Sequence, residues 1–192
     1  MKQPMLDRST WLEDIRRPLA VKTQPIYRPY LGGDLLRRFR GQPSDGNDHW
    51  TDEWFGSDIT AGGPDPEGRP QGLTTVRGAS GLEATLTQLI ESFPVEMLGE
   101  AALERQGARL GFLAKLIALG QEAPVHAHPD TEFARQHLGL DHGQAETWIP
   151  LETRTPDDQP LTAGVGFVPG AGRTDVEAAI ERRSGEMLRE LL

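Results

Sequence analysis

Val125-His126-Ala127-His128-Pro129-Asp130 is the most informative stretch of the chain. In extended backbone alternate side chains face the same way, so His126 and His128 share one side and Val125 and Ala127 the other. Two neighbouring imidazoles are what a first-row divalent ion takes from a single strand, with nitrogens about 2.0–2.1 Å from zinc. A carboxylate from the next strand would complete one face of the site, and Glu146, opening an expected strand over 146–151, is the best placed. Between them, Pro129-Asp130 starts a helix with Asp130 as N-cap, Gly139 ends it, and Asp141-His142-Gly143 turns the chain. The pattern predicts a metal centre of His126, His128 and Glu146 on adjacent strands facing one cavity. The alternative reading of His-x-His is a pair of buried structural histidines. His137 and His142 read as surface residues, and His49 as structural.

Working outward, Phe112 to Leu119 is a short apolar run between turn residues, as in a buried strand. Lys115 interrupts it, so its ammonium must reach an edge or face a polar cavity. In the second case it is a cation for an anionic or oxygen-rich ligand. Upstream, Ser80-Gly81-Leu82-Glu83 has capping-box spacing, and Leu82, Leu86, Leu89, Ile90 and Phe93 recur at helical intervals. A helical segment is expected over 80–107, interrupted at Pro94. Glycines and prolines make 62–72 a loop. Strands are expected at Ile26 to Tyr30 and at His49 to Phe55, and Arg37-Arg38-Phe39-Arg40 reads as a solvated turn.

Downstream, 161–168 reads as a strand. Thr174-Asp175-Val176-Glu177 then opens a last helix with Val176, Ala179 and Ile180 inward. Residues 1–23 read as an amino-terminal arm, partly ordered at best, and 24–192 as one domain. The 22 glycines and 15 prolines, spread along the chain, favour many turns between short strands. The expected class is α+β, mainly β.

The whole-chain numbers exclude several functions. A net charge of −9 argues against a nucleic-acid surface, which needs a basic face. No stretch approaches the roughly 20 apolar residues of a membrane span, and Met1 to Asp14 lacks the apolar run of a secretory signal. With no cysteine, disulfides and thiolate ligands are excluded, in keeping with a cytoplasmic location.

These residues, in this order, resemble the type I mannose-6-phosphate isomerases, a zinc-dependent cupin family. Pro29-Tyr30-Leu31-Gly32-Gly33-Asp34 is similar to the family's Pro-x-x-Trp-Gly-Gly segment, with Leu31 for tryptophan. Glu53-Trp54-Phe55-Gly56-Ser57 resembles its Glu-x-Trp-x-x-Ser stretch. Lys115-Leu116-Ile117, then Val125 to Asp130, then Gly143-Gln144-Ala145-Glu146-Thr147-Trp148 match its Lys-hydrophobic-hydrophobic, Gln-x-His-Pro and Gly-Lys-x-Glu-x-Trp.

The resemblance implies a partial cupin jelly-roll with helical insertions, one Zn2+ held by His126, His128 and Glu146, and Lys115 beside the substrate. It implies interconversion of mannose 6-phosphate and fructose 6-phosphate, hence a phosphorylated hexose as partner. His126 stands where the family has a glutamine ligand, and Gln144 where it has a lysine near the substrate. The family's fourth ligand and an arginine near the reacting carbons lie in a second barrel half beyond the equivalent of Leu192. The chain is therefore expected to be the amino-terminal part of a cupin domain, consistent with the apolar Met187-Leu188 and Leu191-Leu192. Two alternatives stay open: another metal cupin enzyme such as a dioxygenase or epimerase, for which iron would serve as well, and a non-catalytic sugar- or metal-binding relative.

Overall fold

A computed structural model of the chain describes residues 6–22, 24–153 and 163–192. It divides into two compact units, Met1–Ala123 and Pro124–Leu192. The boundary between the units falls immediately before the His-x-His segment.

The first unit is α+β, with two antiparallel three-stranded sheets. One sheet has the order β1 (Ala20–Lys22), β4 (Thr75–Arg77), β5 (Glu83–Thr85); the other has β2 (Pro25–Tyr27), β3 (Trp50–Phe55), β6 (Ala114–Ile117). The helices are α1 (Arg8–Asp14), α2 (Gly33–Phe39), α3 (Leu86–Ser92), α4 (Pro94–Leu98) and α5 (Glu100–Gln106). Across both units helices hold more of the described residues than strands do, which corrects the expectation of a mainly β chain.

The described residues of the expected arm include α1 and β1. Asp7 caps α1, accepting from the Ser9 N–H, and hydrogen bonds from the Thr10 and Ser9 side chains hold its carboxyl below the usual range. Trp11 on α1 is fully buried with Val76, Ala84, Leu86, Leu89, Ile90 and Phe93. Asp14, also buried, accepts from the Ser80 backbone N–H at 3.0 Å. A Cβ on Gly78 would meet the Asp14 carboxylate at 2.0 Å, so the glycine is what lets helix and turn approach.

The expected helix over 80–107 begins later. Glu83–Thr85 pairs with β4 as a strand, and the capping box is formed by Thr85 and Gln88, three residues apart. Thr85 Oγ1 accepts from the Gln88 N–H while Gln88 Oε1 accepts from the Thr85 N–H. Pro94 then sits at the first position of α4, where its missing N–H is no loss.

The second sheet has a small core of Ile26, Trp54 and Ala61. Asp52 of β3 is buried beneath three donors: Arg28 Nε at 2.8 Å, Tyr30 Oη at 3.0 Å and Thr51 Oγ1 at 2.9 Å. Burial, followed by the Asp52 charge and hydrogen bond, pushes the Tyr30 phenol up to about 12. Arg37 to Arg40, expected as a turn, completes α2, and Arg40 pairs with Glu53. Gly32 precedes α2 at φ +150°, and a Cβ there would meet the Ala118 carbonyl oxygen at 2.2 Å. Only glycine fits where this turn crosses the chain leaving β6.

In the second unit, α6 (Thr131–Phe133) runs into a π-helical turn (Ala134–Leu138), followed by α7 (Arg173–Glu181) and α8 (Gly185–Glu190). Asp130 caps α6 as expected, accepting from the Phe133 N–H at 2.8 Å, and Gly139 ends the turn at φ +66°. The strands expected at 125–128 and 146–151 are irregular chain instead. Pro124 and Pro129 bound the first segment and Pro150 lies within the second; each fixes its own φ and lacks an N–H, which limits how far a ladder could extend. The strand expected at 161–168 falls in part outside the described residues, and 163–168 is not a strand. There the Val168 N–H donates to the Leu191 carbonyl at 2.9 Å. On α7, Ala179 is buried but Ile180, expected inward, is 59% exposed.

Candidate metal centre

Two irregular segments of the second unit build the site. Gln144 donates its backbone N–H to the Pro129 carbonyl at 3.1 Å, and Gly143 donates to Thr131 Oγ1 at 3.2 Å. A Cβ on Gly143 would meet the Pro129 carbonyl oxygen at 2.3 Å. Glycine at 143 therefore lets the segment carrying Gln144 and Glu146 press against the one carrying His126 and His128. Arg135 Nε secures the intervening loop by donating to the Asp141 carbonyl at 2.8 Å.

This clamp brings together the three residues singled out in the sequence. One ligand atom from each of His126, His128 and Glu146 lies within 4.8 Å of the others. The His126 and His128 rings are 5.2 Å apart, centroid to centroid, and inclined at 78°. His128 Nε2 lies 3.1 Å from Glu146 Oε2. His137 stacks on Phe133 at 4.5 Å and His142 Nδ1 lies 3.3 Å from the Gly143 carbonyl, so both are engaged outside the trio.

The donor set suits a divalent ion of the zinc type: two imidazoles and a carboxylate. Ligand atoms about 2.1 Å from one ion would be at most roughly 4.2 Å apart, close to the 4.8 Å within which the trio's atoms lie. Outer hydrogen bonds orient the ligands. His126 Nδ1 donates to the Pro124 carbonyl at 2.8 Å, a tautomer that leaves the ring's lone pair on Nε2. The Trp148 indole N–H donates to Glu146 Oε2 at 2.9 Å. The imidazoles are open to solvent, whereas only 15% of the Glu146 side chain is exposed. Trp148 is a contributor that sequence reading placed only as a motif residue; its spacing of two from Glu146 was the available signal.

Lys115 belongs to the first unit. It lies on β6 opposite Trp54 of β3 and is half-buried, as is the rest of that strand after Ala114. The run from Phe112 to Leu119 is thus less enclosed than its composition predicts, with Phe112 67% exposed.

No protein-family model matches the chain, and no curated protein does. Among solved structures, it is similar to a histidine-to-glutamine mutant of phosphomannose isomerase from Salmonella typhimurium, with 20% identity and a TM-score of 0.47. That match covers 62% of this chain and 29% of the isomerase, so the chain spans less than a third of that protein. A likeness this distant carries no weight for function, and the functional reading rests on the side chains of the site. No helix among the described residues is long and apolar enough to cross a membrane.

Proposed function

We propose that the chain binds one divalent cation, zinc in the first instance, through His126, His128 and Glu146. We further propose that it belongs to a cupin-type metal-dependent aldose–ketose isomerase acting on mannose 6-phosphate and fructose 6-phosphate. The observation that carries the reading is the convergence of two imidazoles and a carboxylate, from segments eighteen residues apart, at ligand spacing. The motif order from Lys115 through His128 to Glu146 and Trp148 supports the substrate class.

A divalent ion held by His126, His128 and Glu146 would supply positive charge to stabilise the oxygens of an opened sugar during proton transfer between its C1 and C2. The residues have separate tasks in this reading. Glu146, oriented by the Trp148 indole, adds the negative charge that favours a cation over a neutral occupant. His126, with Nδ1 tied to Pro124, would offer Nε2 as its ligand atom.

The test measures metal content, then conversion of mannose 6-phosphate to fructose 6-phosphate with zinc supplied. Metal bound at one equivalent with turnover supports the isomerase. Metal bound together with tight binding of the sugar phosphate but no isomerisation favours the sugar- or metal-binding relative, a reading supported by Gln144 standing in place of a lysine. No metal bound removes the site.

A further inference from the structure

The amide tip of Gln144 lies 3.4 Å from His128 Nε2, on the same nitrogen that faces Glu146 Oε2 at 3.1 Å. A carboxylate only accepts, so His128 Nε2 carries its proton when it bonds to Glu146. A second donor facing that N–H would be repelled. The group of Gln144 that fits there is its carbonyl oxygen, which a half-turn of the amide exchanges for the nitrogen. The N–H of His128 then points between two oxygens, one a carboxylate and one a carboxamide.

That point is where an ion ligated by His128 would stand. Two ligands about 2.1 Å from one ion, at angles between about 90° and 109°, are roughly 3.0–3.4 Å apart. Both distances from His128 Nε2 fall in this range. Gln144 is also held in place by its backbone bond to Pro129, the residue after His128. We propose that Gln144 is the fourth protein ligand, through its side-chain oxygen, in a centre with His126, His128 and Glu146. A neutral oxygen donor is compatible with a first-row divalent ion and adds no charge to the site. This inference rests on the three-residue metal centre proposed above.

The experiment titrates Zn2+ and Cd2+ into the full chain and into Gln144→Ala, Gln144→Met and His137→Ala, following heat and bound metal. Gln144 is exposed, so its variants should keep the wild-type circular dichroism. Wild type and His137→Ala should bind one equivalent, and Gln144→Ala should bind zinc at least tenfold more weakly. Gln144→Met places a soft thioether at the same position, so it should shift preference toward Cd2+ relative to Gln144→Ala. If Gln144→Ala keeps wild-type zinc affinity, Gln144 is not a ligand, although the trio stands. Equal Cd2+ to Zn2+ preference in the Met and Ala variants would likewise overturn the assignment. Failure of the wild-type chain to bind either ion would remove the trio and this inference with it.

Discussion

His128 Nε2 and Glu146 Oε2 are 3.1 Å apart although eighteen residues separate them, and no strand ladder holds them there. The contact depends on the backbone bond from Gln144 to Pro129 and on the missing side chain at Gly143. Replacing either partner should therefore remove the metal without unfolding the unit. His128→Ala and Glu146→Ala should each lower zinc affinity at least a hundredfold, whereas His137→Ala and His142→Ala should leave it within about threefold. Elemental analysis after dialysis against zinc is the measurement. Equal metal content in His128→Ala and His137→Ala would show that the ion is held elsewhere.

Trp148 offers a milder test of the same centre. Its indole N–H orients the Glu146 carboxylate, and groups that orient ligands commonly contribute about 10- to 100-fold in metal affinity. Trp148→Phe keeps an aromatic ring and deletes the donor. Zinc affinity should fall about tenfold at unchanged stoichiometry, as read by competition with a chromogenic chelator. Wild-type affinity in this variant would mean that Glu146 is held without the indole.

The candidate cluster is legible in the sequence because two imidazoles and a carboxylate are chemically distinctive and fall at short spacing. His126, His128 and Glu146 were singled out and do converge. Their supporting structure was misread. Alternation in Val125 to His128 suggests a strand, but a proline at either end stops a ladder from extending beyond those four residues. The helix after Asp130 was legible because its cap is local, the carboxylate reaching the Phe133 N–H. At Ser80 a similar local pattern misled: the Glu83–Thr85 pairing with β4 overrode it and moved the cap to Thr85. Trp11 was missed because its burial depends on residues 76–93, far along the chain.

Trp11 supplies a stability test of the packing of α1. It is 1% exposed in the larger core cluster, so Trp11→Ala removes a large side chain from a packed interior. Such truncations destabilise by about 3–5 kcal/mol. The expected result is a clearly lower denaturation midpoint for the unit holding Met1–Ala123, together with loss of one buried tryptophan's fluorescence signal. A midpoint unchanged from wild type would show that Trp11 is not packed into that core.

Tyr30 connects the buried charge network to pH. Its phenol is pushed up to about 12, first by burial and then by the charge and hydrogen bond of Asp52. In the unfolded chain a tyrosine ionises near 10. The folded state thus holds the phenolic proton more tightly, so the contribution to stability is complete below about pH 10 and lost as pH rises toward 12. The chain has two tyrosines, and Tyr27→Phe leaves Tyr30 as the single reporter. In that background tyrosinate absorbance should develop near pH 12 while the fold persists, and near pH 10 in denaturant. Asp52→Asn should bring the folded transition down, because it removes the carboxylate charge beside the phenol. Thermal stability should fall between pH 10 and 12 more steeply in the parent than in Tyr30→Phe, which has no proton to lose. A folded-state transition already near pH 10 would show that the Tyr30 hydroxyl is not held against Asp52.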